Sequence, residues 1–400
     1  MANSSISKRQ KLYCREETVG ADRISDLPDC LLIHILSFLR TKQAIQTSRL
    51  SSRWKLLWTY VPKLNLDIDS FSKFECDKVG SIINFECYVS QVLAKHKAKY
   101  LRNFRLKHKL YHQKRLDRWI STFTTSALNL QELDLQIFNF PTPTPATPTP
   151  TDFFWKLPHS IFYCNKLVVL KIEGHIVLDP SSSSSFQLNT LKILRLESIT
   201  FANRDSFVTL LSFCPVLEDL TLIIYDYKEF NFKICVPTLK RLSVSYLNNE
   251  LKIDTPSLEY FDFECQRSYG SICPTRFQNL VCLVFKYNGH NLSVLKALLL
   301  LAPNLRVVLV DKIDTGRTQK LYWTVPPKDP NSFLSHLTTF YFRGYKGLKH
   351  EVDFVKFILE EARVLKAVRI EVHHHSKLKS VFEELSIFPR RSSTCLLSVK

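Results

Sequence analysis

Residues 213–222 read FCPVLEDLTL. Apolar side chains fall at Leu217, Leu220 and Leu222, with Glu218, Asp219 and Thr221 between them, and Pro215 stands two positions ahead of the first leucine. The alternation after Leu220 is that of a strand with one buried and one exposed face. Pro215 lies ahead of that strand, where it fixes a turn without removing a ladder hydrogen bond. The same L-x-x-L-x-L phrase opens at Leu101, Leu130, Leu167, Leu191, Leu217, Leu239, Leu258, Leu280, Leu305, Leu337 and Leu365, for example as LQELDL, LVVLKI, LKILRL, LKRLSV and LVCLVF. Pro237, Pro256 and Pro303 repeat the spacing of Pro215 ahead of their own leucines. Most openings are 19 to 32 residues apart. A unit of that length buries its apolar face only by stacking on its neighbours, so the predicted fold is an α/β solenoid carrying a curved parallel sheet.

Ahead of the repeats, residues 22–58 read DRISDLPDCLLIHILSFLRTKQAIQTSRLSSRWKLLW. Leu31, Leu32, Ile35, Leu36 and Leu39 recur at helical spacing. Pro28 fits a helix start and Asp29 a helix cap. Two shorter helices are predicted next, one opened by Thr41 and carrying Ala44, Ile45 and Ser48, the other opened by Ser51 or Ser52 and carrying Trp54, Leu57 and Trp58. Three helices in roughly forty residues sit near the lower size limit for a core that folds alone, so the unit is expected to need a partner.

The ordered run Leu27-Pro28, Leu31-Leu32, Ile35-Leu36-Ser37-Phe38-Leu39, Thr47-Ser48, Leu50-Ser51, Arg53-Trp54 and Leu57-Trp58 resembles the F-box of plant proteins, departing at Arg40, where many members carry proline. FCPVLEDLTL and TPSLEYFDF resemble the irregular leucine-rich repeats of the same proteins. Residues 337–372, LTTFYFRGYKGLKHEVDFVKFILEEARVLKAVRIEV, with 388–399, FPRRSSTCLLSV, resemble the FBD region that ends many of them. That last part reads as a strand over 337–342, a turn using Gly344 and Gly347, a helix over about 351–362, a strand over 365–372 and a final extended segment. The resulting organisation is a flexible basic tail (1–20), an F-box (21–69), leucine-rich repeats (70–332) with loop insertions at 139–152 and 180–186, and an FBD region (333–400).

What the resemblance implies is a substrate receptor. The F-box would dock on a Skp-type adaptor and through it on a cullin that carries ubiquitin-transfer machinery, while the repeats hold an unidentified target protein. Leu27, Pro28, Leu31, Leu32, Ile35, Leu36 and Leu39 would form the adaptor surface and its packing, with Trp54 and Trp58 supporting the last helix. Two other readings remain open at this level: an adaptor-binding scaffold or competitor without a role in degradation, and a basic nucleic-acid-associated repeat protein.

Composition bounds these readings. Apolar residues make up 45% of 400, ordinary for a globular protein. Eight glycines, with no phosphate-loop or dinucleotide fingerprint, argue against nucleotide chemistry. Neither a G-x-S-x-G elbow nor an H-E-x-x-H pair occurs, and a non-enzyme is expected. No cofactor or metal site is assigned, and the triplet His373-His374-His375 is read as an exposed loop. Eleven cysteines without a C-x-x-C pair fit reduced thiols, with Cys164, Cys214 and Cys282 read as core residues. Neither a signal peptide nor a membrane-spanning run is visible, so the expected location is intracellular, cytoplasmic and/or nuclear, without a membrane partner. The segments PTPTPATPTP (141–150) and 181–185, five serines, read as loops.

A net charge of +18 would suit a nucleic-acid binder, and residues 95–118 concentrate ten cations, among them Arg102, Arg105, Lys107, Lys109, Lys114, Arg115 and Arg118. The exposed strand positions from Leu130 onward carry Glu132, Asp134, Glu173, Glu197, Asp219, Asp262, Glu264, Asp311 and Glu371 against Lys171, Arg195, Arg241, Lys286, Arg343 and Arg369. That mixed face points to a protein partner, whereas a phosphate-binding groove shows one dominant sign.

Overall fold

The computed structural model describes residues 24, 26–71, 78–98, 100–110, 113–124, 129–139, 154–180, 188–224, 232–245, 251–265, 272–274, 276–288, 292–313, 334–373 and 378–400. The basic tail, the proline-rich segment 141–150 and the serine run 181–185 lie outside them.

The chain opens with α1 (Asp29–Ser37), α2 (Thr41–Gln46) and α3 (Trp54–Leu57), followed by β1 (Lys63–Asp67), α4 (Lys78–Lys95), β2 (Asn103–Leu110), α5 (Gln113–Thr124) and β3 (Glu132–Asn139). Next come β4 (Trp155–Lys156), β5 (Val169–Gly174), β6 (Ile176–Leu178), β7 (Ile193–Glu197), β8 (Thr200–Phe201), α6 (Asp205–Ser212) and β9 (Asp219–Ile223). β10 (Phe232–Cys235), β11 (Arg241–Ser245), β12 (Leu251–Asp254), β13 (Tyr260–Cys265), β14 (Ile272–Pro274), β15 (Cys282–Tyr287), α7 (Leu292–Leu301) and β16 (Val307–Lys312) continue the solenoid. β17 (Thr339–Tyr345), α8 (Lys349–Glu361), β18 (Ala367–Val372), α9 (Leu378–Ser386) and β19 (Leu396–Val399) end it.

One parallel sheet of thirteen strands runs β1-β2-β3-β5-β7-β9-β11-β13-β15-β16-β17-β18-β19. Every one of the eleven opening leucines sits two residues before one of these strands and is buried, at no more than 1% exposure. The register follows from the motif, because equivalent positions stand side by side: Leu220 pairs with Leu194 on one flank and Leu242 on the other. A one-residue slip would turn the leucines outward.

The proline turns form as predicted. The amide of Leu217 donates to the carbonyl of Cys214 (3.3 Å), that of Leu239 to Val236 (3.2 Å), and that of Leu258 to Thr255 (3.1 Å), which places Pro215, Pro237 and Pro256 at the second position of a four-residue turn. Proline pre-sets φ for that position. Where threonine precedes the leucine it ties the turn to the preceding repeat: Thr238 donates to the carbonyl of Leu217 (2.8 Å) and Thr190 to that of Leu167 (2.9 Å).

The return segments differ along the chain. Helices α5, α6, α7, α8 and α9 bury apolar residues in the common core in five of the repeats. The repeats opened by Leu217, Leu239 and Leu258 instead return through β10, β12 and β14, which form their own three-stranded parallel sheet; β4, β6 and β8 form another. Helix α9 and the sheet strand β1 were not foreseen, although Leu378, Val381 and Leu385 carry helical spacing, and Val61, Leu64 and Leu66 reproduce the repeat motif with valine in first place.

β1 lies inside the range 21–69 read as the F-box, so that unit contributes the first strand of the sheet. Its outer edge is covered by α2: the Asn65 amide donates to the Thr41 hydroxyl (2.7 Å) and Lys42 donates to the Ser70 carbonyl (2.7 Å). Thr41 therefore serves a strand, and the helix it opens is instead started by Gln43, which accepts from the Arg40 amide (3.2 Å). A single buried apolar cluster runs from Leu32 to Cys395. Cys214 is buried and Cys164 packs against that cluster; burial pushes the Cys214 thiol up to about 12 and Cys164 up to about 11. Cys282 departs from the core reading, because strand alternation turns Leu283 inward and leaves Cys282 half-buried on the open face.

Candidate docking surfaces

Helix α1 divides its apolar residues between two faces. Leu32 and Leu36 are 0% and 1% exposed, in a core with Ala44, Trp54, Leu57 and Trp58. Leu31 and Ile35, one residue away in each case, are 47% and 43% exposed, and Phe38 and Leu39 at the helix end are 75% and 37% exposed. Leu50 and Leu56, on the segment leading into α3 and on α3 itself, are also exposed large apolar residues. Of the nine residues proposed for the adaptor surface, Pro28, Leu31, Ile35 and Leu39 are exposed, Leu27 is partly buried, and Leu32, Leu36, Trp54 and Trp58 are packing residues. The period-3.6 pattern could not separate these sets, since both are leucine-rich; α3 packing against α1 decides which stripe is inside. Phe38, Leu50 and Leu56 were not among the predicted site residues, and Phe38 carries a legible signal, since Leu31, Ile35 and Phe38 follow i, i+4, i+7 spacing.

The N-terminus of α1 is held by Arg53. Its Nε and Nη2 donate to Asp29 Oδ1 (2.9 and 2.7 Å), and Nη2 also reaches the Leu27 carbonyl. Asp29 is thus the first helical residue, paired across to Arg53, and Pro28 occupies the cap position without a side-chain bond. The exposed pair adds little energy. Its effect is positional: it fixes Leu27 and Pro28 against the turn before Trp54.

The second surface is the open face of the sheet. Register places its side chains in rows, and neighbouring rungs neutralise one another: Arg105 with Asp134 (3.4 Å), Lys171 with Glu132 (3.0 Å), Arg241 with Asp219 (2.9 Å), Lys286 with Asp262 (2.9 Å), and Arg343 with both Asp311 (3.3 Å) and Glu371 (3.4 Å). Gln136 donates to Glu173 (2.7 Å) in the same way. Burial within this layer raises Asp134 above the usual carboxylate range against the pull of Arg105 and Lys171, and raises Glu173 with help from Glu197.

The basic run 95–118 does not form one patch. Arg105, Lys107 and Lys109 alternate onto the open face of β2, where Lys107 pairs with Asp69 (2.6 Å). Lys114, Arg115 and Arg118 lie on α5, which packs Leu116, Trp119 and Ile120 into the core on the other side of the sheet. Arg115 is tied to the fully buried Glu86 (2.9 Å). Lys99 and the histidines at 374 and 375 lie outside the described residues; His373 is exposed just past β18. Among the described residues no group of histidine, cysteine, aspartate or glutamate has the arrangement of a metal site, and no helix is long and apolar enough to cross a membrane.

Three family descriptions match consecutive parts of the chain: the F-box domain over residues 24–66, the leucine-rich repeats of an FBD-associated F-box protein over 116–278, and FBD over 326–370. An FBD-associated F-box protein of Arabidopsis thaliana is 29% identical across 94% of this chain and 99% of its own length. An F-box/FBD/LRR-repeat protein of the same plant is 26% identical across 98% and 99%, and an F-box/LRR-repeat protein is 34% identical across 60% and 63%. Along nearly its whole length the chain is similar to plant F-box/FBD/leucine-rich-repeat proteins. Its F-box and leucine-rich repeats indicate a role in protein interaction or substrate recognition. The FBD match spans β17, α8 and most of β18 and adds rungs to the same sheet.

Proposed function

We propose that this protein is the substrate-recognition subunit of a Skp-cullin-F-box ubiquitin ligase, with the F-box docked on the adaptor and the open face of the repeats holding a target. The carrying observation is the exposed apolar stripe of Leu31, Ile35, Phe38 and Leu39 on a unit that matches the F-box. Soluble surfaces seldom leave several large apolar side chains uncovered on one short element, and a partner surface accounts for them. The function is approximation. Adaptor and target are held by one chain, which raises the target's effective concentration near a ubiquitin-loaded enzyme. The shared core beneath α3 and β1 favours this reading, because it fixes the distance between the two docking surfaces.

Co-purification with a plant Skp-type adaptor tests it. Wild type is expected to bind, Ile35→Glu and the Leu27→Ala, Pro28→Ala double variant to lose binding, and the first of these to keep its wild-type melting temperature because Ile35 adds nothing to the core. Leu36→Ala, by contrast, empties a core position and is expected to cost about 2–5 kcal/mol of stability. Binding by Ile35→Glu equal to wild type would remove this surface from the reading.

A further inference from the structure

The open face changes character toward its C-terminal end. From β1 to β5 it is a polar lattice in which Glu132, Asp134 and Glu173 answer Lys171, Arg105 and Gln136. From β15 to β17 the two rows nearest the strand starts become mostly apolar: Val307 stands beside Cys282 and Thr339, and Leu309 beside Val284 and Tyr341. Tyr341 is a fixed platform. Its hydroxyl donates to Glu371, and the Arg343 guanidinium stacks over its ring at 5.5 Å while pairing with Asp311. A ring held on two sides loses little freedom when something docks on it.

Three cations border this floor: Arg369, next to Tyr341 in the register, and Arg306 and Lys366 at the entrances of β16 and β18. All three are exposed, and none has an ion-pair partner among the described residues. Arg102 at the entrance of β2 is likewise exposed and without an ion pair among the described residues, so what sets this end apart is the apolar floor beside the cations.

We infer that the FBD end of the sheet is the target-docking site, and that its occupant is an extended acidic segment of the target with an apolar side chain seated on Leu309 and Tyr341. The inference rests on the substrate-receptor reading and gives it a place and a chemistry. Charge complementarity selects this occupant: carboxylates flanking an apolar anchor would meet Arg306, Lys366 and Arg369. The chain's own residues 314–333 do not fit, since Arg317, Lys320 and Lys328 outnumber Asp314 and Asp329. A basic segment or a polyanion lacking an apolar anchor does not fit either.

The test uses the full chain co-purified with its adaptor and two synthetic peptide pools, each with a central leucine or phenylalanine, flanked in one by glutamate and aspartate and in the other by lysine and arginine. Fluorescence anisotropy is expected to show the acidic pool bound at least about tenfold more tightly. Tyr341→Ala is expected to weaken acidic-pool binding by about tenfold. Lys366→Glu with Arg369→Glu is expected to invert the preference between pools, a result that misfolding cannot produce. Adaptor binding should stay unchanged in all variants. Equal binding of both pools, or a preference untouched by these substitutions, overturns the site. Loss of adaptor binding by the wild-type chain overturns the receptor reading and leaves the peptide result to stand or fall separately.

Discussion

At the scale of single residues, Gly174 shows how tightly the rungs are stacked. It ends β5 with φ at +107°, and a Cβ built there would lie 2.0 Å from the carbonyl oxygen of Ile137 on the neighbouring strand. Backbone cannot yield as a flexible side chain can, so β3 and β5 would have to part. Gly174→Ala is expected to cost about 3 kcal/mol or more, from the left-handed backbone and the collision together. Chemical denaturation reads this directly, and a midpoint unchanged from wild type would show that the sheet gives way there at no cost. Gly344, with φ at +74° and Lys312 O at 2.7 Å from a Cβ position, serves the irregularity of β17 in the same manner. Of the two glycines expected in a turn, Gly347 lies between β17 and α8 while Gly344 falls inside β17; Gly174 carries no such signal, since the cause lies on a strand 37 residues away.

At the scale of elements, the FBD helix α8 is anchored by a buried pair. Glu351 is fully buried, its Oε1 accepts from Lys312 at the end of β16, and its Oε2 accepts from the amides of Lys346 (2.9 Å) and Leu348 (3.1 Å). Lys312 keeps only 8% of its side chain exposed. Removing the carboxylate strands that ammonium, so Glu351→Ala is expected to lose about 3–5 kcal/mol, while a Lys312→Met, Glu351→Leu pair should recover most of it. Urea unfolding of the single and double variants checks both; a single variant as stable as wild type would mean the pair does not hold α8. Helix α8 was legible from its apolar face of Phe354, Phe357 and Ile358, but its anchor was not, because nothing in the sequence sets Lys312 against a glutamate 39 positions on.

At the scale of the whole molecule, neutral histidines held wholly or partly out of water make stability depend on pH. Burial lowers His96, which donates from Nε2 to the Val61 carbonyl (2.9 Å) where the F-box meets the first repeat. Burial also lowers His350 on α8, with Glu351 opposing and Lys312 adding to the shift, and His175 beside β5. A depressed folded value means that the unfolded chain takes up protons first as pH falls. The stabilisation is complete above the unfolded histidine value of about 6.5 and declines below it toward the folded values. Thermal melts are therefore expected to be level from pH 8 to 7 and to fall from pH 6.5 to 5.5. A flat profile across that interval would mean these rings take up protons in the folded state without penalty.

The sequence by itself determined the repeat register and the eleven strands of the large sheet from β2 to β18, because a buried leucine at fixed spacing followed by period-two alternation admits one placement per strand; the six strands of the two small sheets carry no such motif. It also marked the proline turns and the three helices of the F-box, whose signals are local. Only the tertiary structure decided which leucines of α1 face outward, since Leu31 and Leu32 differ in nothing but their angle to α3. Tertiary contacts likewise split the basic run between the open face and α5, made the F-box the cap of the sheet through Thr41 and Asn65, and set Arg306, Lys366 and Arg369 on or just before the two strands that flank Tyr341. Each of those outcomes depends on residues far apart in sequence that become neighbours only when rungs stack.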